Sequence, residues 1–252
     1  MPEDDLNLRT SLYENWEHKL KANLDEYLQP GPCVNSGAEE IITLAHSLTD
    51  STKSARENAV ALYYFVRDTI RYNPYTLGNC REDWQATKTL AAGESWCVPK
   101  AVLLAALCRA IGIPARLGYA DVVNHLSTER LRESMETDVF YYHGYCSIFL
   151  DGRWVKSTPA FNLSLCEKFG LKPLDWGGIE DSLYHKFDQA GNRHMEYVND
   201  RGEYSDVPYE EIMTVFKQYY PNSFSAENSE NPKRRRTLDA SDWESDVDKE
   251  MQ

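Results

Sequence analysis

Apolar positions recur at helical spacing in the first half of the chain and alternate in much of the second. Leu12, Trp16, Leu20, Leu24 and Leu28 step by four, which predicts a helix that Pro30-Gly31-Pro32 stops. A second helix is expected over 37–48. A third opens on Ser54-Ala55-Arg56-Glu57, where hydroxyl and carboxylate can each satisfy an amide of the first turn, and it runs through Ala59, Leu62 and Val66 to about Ile70. Residues 76–95 read as irregular, with a short helix around 85–90. The most apolar helix begins at or near Cys97. Pro99 sits in its first turn, where a missing N–H costs nothing; Leu103, Ala106, Leu107 and Ala110 form the buried stripe; Gly112 and Pro114 end it.

Beyond Pro114 the period shortens to two. Residues 116–122 read as a strand, and 124–135 as polar and partly helical. The clearest hairpin follows: aromatic and β-branched residues over 139–150, a two-residue turn at Asp151-Gly152, and a return over 153–160. Residues 164–180 read as loop or short helix. A strand pair is expected at 182–188 and 195–200, turning at Gln189-Ala190-Gly191-Asn192, and Val207-Pro208-Tyr209-Glu210 leads into a last helix ending near Tyr220. From Asn222 large apolar residues are few and charge is segregated, which predicts disorder. The pattern divides the chain into an N-terminal helical segment packed on the core (1–50), a main domain (51–221) and a disordered charged tail (222–252). The fold class it predicts is α+β, helices packed on an antiparallel sheet.

At 252 residues with 42% hydrophobic content, the chain can bury one good core. A net charge of −13 argues against nucleic acid as a partner, since such binders carry a basic face. No run is apolar enough to span a membrane, and the acidic start Met1-Pro2-Glu3-Asp4-Asp5 lacks a signal-peptide core, so a soluble, cytoplasmic protein is expected. Lys233-Arg234-Arg235-Arg236 resembles a nuclear-localisation cluster and adds a nuclear address as a second reading. Ser241 and Ser245, beside carboxylates, are candidate phosphorylation positions. The six cysteines show no CxxC spacing, so free thiols are expected rather than a zinc site.

Cys97 stands out among them by position. A helix N-terminus presents unpaired N–H groups and partial positive charge, which favour a thiolate and can hold an oxyanion. A thiol nucleophile needs an imidazole to take its proton and a third group to orient that imidazole. In a two-residue hairpin with Leu150 facing Arg153, His143 lies opposite Ala160, on the face that carries Tyr145, Ser147, Trp154, Lys156 and Thr158, and Thr158 is its diagonal neighbour. Cys146 faces the other way and, like Cys108, reads as packing; Tyr141, Tyr142 and Tyr145 read as sheet aromatics. Trp84 and Gln85 are candidate oxyanion donors, against ordinary loop packing. Asp121, Asn124 and His125 are candidates to line a cleft. His125, His185 and His194 lack the spacing of a metal site with His143, so no metal is expected.

The runs Ser95-Trp96-Cys97-Val98-Pro99-Lys100-Ala101, Arg109-Ala110-Ile111-Gly112-Ile113-Pro114-Ala115-Arg116, His143-Gly144-Tyr145 with Leu150-Asp151-Gly152-Arg153-Trp154-Val155, and Thr158-Pro159-Ala160-Phe161-Asn162 together resemble the transglutaminase-like superfamily, which includes papain-like acyl-transfer enzymes. The likeness covers roughly residues 55–165 and extends more weakly through His194-Met195-Glu196-Tyr197. It implies a transglutaminase-like core with Cys97 as nucleophile and His143 as its base. It implies acyl transfer or hydrolysis at an amide of a peptide, protein or small molecule, without cofactor. Thr158 departs from the aspartate usual at its position: its hydroxyl can orient the imidazole but brings no charge. Asn162, two further steps along the strand direction, is the other candidate third member. A non-catalytic binding module that keeps the cleft is the alternative, with Thr158 as its main support.

Overall fold

A computed structural model describes residues 24–78, 80–124, 127–184, 195–221 and 239–250. Residues 1–23, His125, His185, His194, the turn at 189–192 and the basic cluster at 233–236 lie outside this set. Of the first expected helix, the described end is a short helical turn, Glu26–Leu28, followed by extended backbone at Gln29.

The helical layer comprises α1 (Glu39–Leu48), α2 (Ala55–Thr69), α3 (Ala86–Ala92) and α4 (Cys97–Ala110). Ser54 caps α2 as its sequence implies: its hydroxyl accepts from the Glu57 amide, and the Glu57 carboxylate accepts from the Ser54 amide at 2.9 Å. Helix α4 is the centre of the molecule. Its sequence suggested one apolar stripe, yet every residue from Cys97 to Arg109 is buried, because helices cover one side and a sheet the other. Two cations in it end up buried for that reason. Lys100 Nζ donates to the carbonyls of Arg67 (3.0 Å) and Ile70, closing the C-terminus of α2. Arg109 donates to the Ala115 carbonyl at 2.9 and 2.7 Å and to the Gln29 carbonyl at 2.6 Å.

A four-stranded antiparallel sheet packs against α4. It comprises β3 (Ala115–Asn124), β4 (Val139–Leu150), β5 (Arg153–Ser157) and β6 (Met195–Tyr204), in the order β5-β4-β3-β6. The hairpin has the expected register, Leu150 opposite Arg153. Asp151 and Gly152 both take positive φ (50° and 84°), as a primed two-residue turn demands. Pairing ends at Cys146–Ser157, so β5 stops three residues short of the expected Ala160. Beyond it the Thr158 amide turns to the Ser182 carbonyl (2.9 Å), and Pro159, which has no N–H, follows. Met195 enters β6 as expected, but β6 runs on to Tyr204 and pairs with β3.

Two short strands, β1 (Arg71–Tyr72) and β2 (Glu94–Ser95), pair in parallel and bring the end of α2 beside the residues that lead into α4. Helices α5 (Glu129–Met135), α6 (Leu163–Lys168) and α7 (Tyr209–Tyr219) surround the sheet ends. Part of the segment expected to be disordered is ordered. Residues 240–242 form a turn and α8 (Trp243–Glu250) a helix, with Trp243 and Val247 buried. Two apolar side chains four apart suffice for docking although the composition around them is acidic.

Candidate active site

Cys97 is the first residue of α4. Trp96 before it is extended (φ −93°, ψ −177°), and no side chain caps the helix. The uncapped amides are therefore available to the sulfur. Burial pushes the Cys97 thiol from 9.0 up to about 11, and backbone N–H groups of Gly144, Val98 and Cys97 itself pull against that rise. Cys33, Cys108 and Cys166, without three such donors, are pushed further, to about 12. All six cysteines are free thiols, and Cys80 is the exposed one.

The Gly144 donor is the informative one, because Gly144 follows His143. Helix α4 reaches this strand so closely that a Cβ at Gly144 would lie 2.9 Å from the Val98 Cα and 3.0 Å from its Cγ2. Only glycine allows that approach. The amide beside His143 is thereby brought to the sulfur of Cys97. Both residues are buried, each 5% exposed.

The entry to His143 is bent. Between Ala120–His143 and Val122–Phe140 the register slips, so that Asp121 faces two residues of β4. Tyr142 takes φ 55°, uncommon for a residue with a large side chain. This is a β-bulge, a device that re-aims the side chains next to it. Asp121 holds it: one carboxylate oxygen accepts from the Tyr142 amide at 3.1 Å, and Arg201 of β6 grips both oxygens (2.7–3.0 Å) with its guanidinium 5.0 Å from the Tyr142 ring centre. Tyr220, after α7, secures the neighbouring stretch. Its hydroxyl accepts from the Tyr141 amide (2.7 Å) and donates to the Val139 carbonyl (2.9 Å).

The remaining sequence candidates separate. Thr158 is buried, and its hydroxyl has no hydrogen-bond partner among the described residues. Its carbonyl accepts from the Tyr63 hydroxyl at 3.3 Å. Asn162 is otherwise engaged: its oxygen accepts from the Tyr72 amide (2.9 Å) and its nitrogen donates to the Ser164 hydroxyl (2.7 Å). Through the Tyr72 contact it anchors β1. The Gln85 side-chain amide donates to the Pro32 carbonyl (3.1 Å). Trp84 is fully buried, edge-on to Trp96 with ring centres 5.2 Å apart, so it packs against the residue preceding Cys97. The indole N–H groups of both tryptophans are without a partner among the described residues. Asn124 is buried at the end of β3, its amide donating to the Asp138 carbonyl (3.0 Å), and His125 lies outside the described residues. Asp121 is a clamp on the bulge, a role that its place on β3 gave no reason to expect.

Gly144 and Arg201 escaped the sequence reading. Gly144 left one signal, a glycine inside a strand of aromatic and β-branched residues, which marks close backbone approach. Arg201 left none, since its partner is 80 positions away.

Residues 42–159 match the family model of the transglutaminase-like superfamily. The chain carries a transglutaminase-like superfamily domain. Its helices on a four-stranded antiparallel sheet agree with the transglutaminase-like fold. Among solved structures the chain is similar to a “putative cysteine protease” from Cytophaga hutchinsonii, at 17% identity and a TM-score of 0.42; the match covers 72% of this chain and 54% of that one. The chain thus spans about half the length of that protein, and the assignment rests on the family model. No curated protein matches the chain. Transglutaminase-like domains generally act on peptide or amide substrates. Among the described residues no cluster of His, Cys, Asp or Glu could hold a metal ion, and no helix is long and apolar enough to cross a membrane.

Proposed function

We propose that the transglutaminase-like domain catalyses thiol-dependent acyl transfer or hydrolysis at a carboxamide or peptide bond, with Cys97 as nucleophile, His143 as general base and acid, and the Thr158 hydroxyl orienting the imidazole. The supporting observation is the contact between the Cys97 sulfur and the amide that adjoins His143, built on the glycine at 144. In the first half-reaction the imidazole takes the thiol proton and the sulfur attacks the carbonyl carbon. The Cys97 amide donates to the oxyanion. The carbon–nitrogen bond then breaks, and the imidazolium returns the proton to the leaving amine. In the second half-reaction water or an amine attacks the thioester, loses its proton through the same imidazole, and releases the sulfur as thiol.

The resting site is closed, with Cys97, His143 and Thr158 between 3 and 5% exposed. Burial, offset in part by the three backbone N–H groups, would keep Cys97 a thiol to about pH 11. The sign follows from linkage: a thiol that holds its proton more tightly when folded stabilises the fold below pH 9.0, and that stabilisation is lost as pH rises through about 11. An ion pair with His143 acts the other way and produces thiolate near neutral pH. The test is the pH dependence of iodoacetamide alkylation at Cys97 in a Cys80→Ser background, which removes the exposed thiol. The expected half-maximum lies below pH 8 and moves up toward 11 in His143→Ala. Coincident profiles would overturn the proposal and favour an inert binding module, the reading to which the buried thiol and the uncharged Thr158 lend support. Turnover of an amide library with a primary amine, abolished by Cys97→Ala, is the matching activity measurement.

A further inference from the structure

In a chain of net charge −13, four cations gather around one crevice: Arg71, Arg130, Arg132 and Lys168. Helix α8 lies in it. Trp243 is the anchor, 5% exposed and edge-on to Tyr75 (5.2 Å) and Tyr72 (6.0 Å), over a floor that includes Phe161, Phe140 and Leu131. Val247, one turn on, is buried beside it. The acids meet the cations in register: Asp242 and Asp246 at Arg130, Glu244 and Asp248 at Lys168 (3.2 and 2.8 Å), Glu244 also at Arg71 (3.7 Å), and Glu250 at Arg132 (3.5 Å). Neutral contacts complete the set. The Tyr75 hydroxyl donates to Asp246 (3.1 Å), and the Asn73 side-chain amide donates to the Ala240 carbonyl (2.9 Å).

The crevice adjoins the candidate active site through three of the chain segments that build it. Tyr72 pairs with Ser95, two residues before Cys97; Phe140 precedes His143 by three residues; Phe161 follows Thr158 by three. The attachment of α8 is also of the exchangeable kind. The four cations are between 38 and 58% exposed, where individual ion pairs are weak, so the hold centres on the buried side chains of Trp243, Val247 and Asp246.

We infer that this crevice is a binding groove for acidic helical peptides that present an aromatic residue and, four positions later, an aliphatic one, and that the chain's own C-terminal helix is its resident ligand. A partner with that pattern competes with α8 for the groove. The mode is helix-in-groove recognition with a basic rim setting the charge of the partner. The inference stands apart from the proposed chemistry, because peptide binding is read without turnover.

The experiment uses the full chain and a fluorescent synthetic peptide of residues 239–250, followed by anisotropy. Trp243→Ala removes the resident anchor and leaves the groove intact. That chain is expected to bind the peptide at least about ten-fold more tightly than wild type, and a peptide carrying Trp243→Ala should not bind it. The triple variant Asp242→Lys, Glu244→Lys, Asp248→Lys opens the groove by charge alone and should gain affinity in the same way, which covers the case of a misfolded Trp243→Ala. Adding Arg130→Glu to either opened chain should reduce binding about ten-fold, and so should roughly 0.5 M salt, through loss of rim attraction. Equal binding to wild type and to both opened chains, or binding indifferent to Arg130→Glu, overturns the inference.

Discussion

Two contacts border the candidate site, and they are built on opposite principles. Where α4 meets β4, backbone lies on backbone: Gly144 against Val98, buried and with no room for a methyl group. Where α8 meets the rest of the domain, one tryptophan sits among aromatics inside a ring of partly exposed ion pairs. The first contact sets the position of a sulfur relative to the residue next to an imidazole, and an error of one bond length there matters. The second has only to stay in place, and long charged side chains can adjust. The contrast separates the part of the crevice that must be invariant in shape from the part that can be exchanged.

The comparison breaks most sharply at Gly144. Gly144→Val puts carbon within 2.9 Å of the Val98 Cα, and backbone cannot swing aside as a side chain can. A loss of about 3 kcal/mol is expected from such overpacking, measurable as a lowered urea midpoint. An unchanged midpoint would mean that α4 slides freely on β4. Asp121→Ala comes next. It deprives the Tyr142 amide of its acceptor and leaves Arg201 without its partner. Removing one member of a fully buried pair costs about 3–5 kcal/mol; with Arg201 a quarter exposed to water, about 2 kcal/mol is expected, together with slower Cys97 alkylation as the bulge before His143 relaxes. Stability lost without any change in alkylation would confine Asp121 to a structural role. The smallest effect belongs to the rim. Glu244→Ala removes a carboxylate that is 59% exposed and touches Arg71 and Lys168, and it should shift the unfolding free energy by no more than about 0.5 kcal/mol. A loss as large as that at Gly144 would erase the distinction between the two contacts.

The elements that frame the site could be read from local rules. Ser54 with Glu57 opens α2, Pro99 marks the first turn of the Cys97 helix, and Asp151-Gly152 sets the register that puts Leu150 opposite Arg153. Each of these signals acts within four residues of its effect. The parts that could not be read depend on partners far along the chain. Arg201 closes on Asp121 across two strands, and the Asn162 side chain spans 90 positions to reach Tyr72, a contact that its spacing after Thr158 did not signal. The bulge at Tyr142 is invisible to a count of alternating residues, because one additional residue reverses every face that precedes it. Helix α8 was missed for a different reason. Its acidic composition resembles that of a solvated tail, and the basic groove that neutralises it is assembled from residues between 71 and 168.

The short β1–β2 ladder carries a mechanical consequence. The Arg71 amide donates to the Gly93 carbonyl (3.0 Å) and the Asn73 amide to the Ser95 carbonyl (2.9 Å), with Tyr72 between them. Tyr72 forms part of the floor on which Trp243 rests, and Ser95 is two residues from Cys97. Two hydrogen bonds, one on either side of Tyr72, therefore tie the floor to the strand that leads through Trp96 to Cys97. The ladder thus fixes the spacing between the aromatic floor and the start of α4.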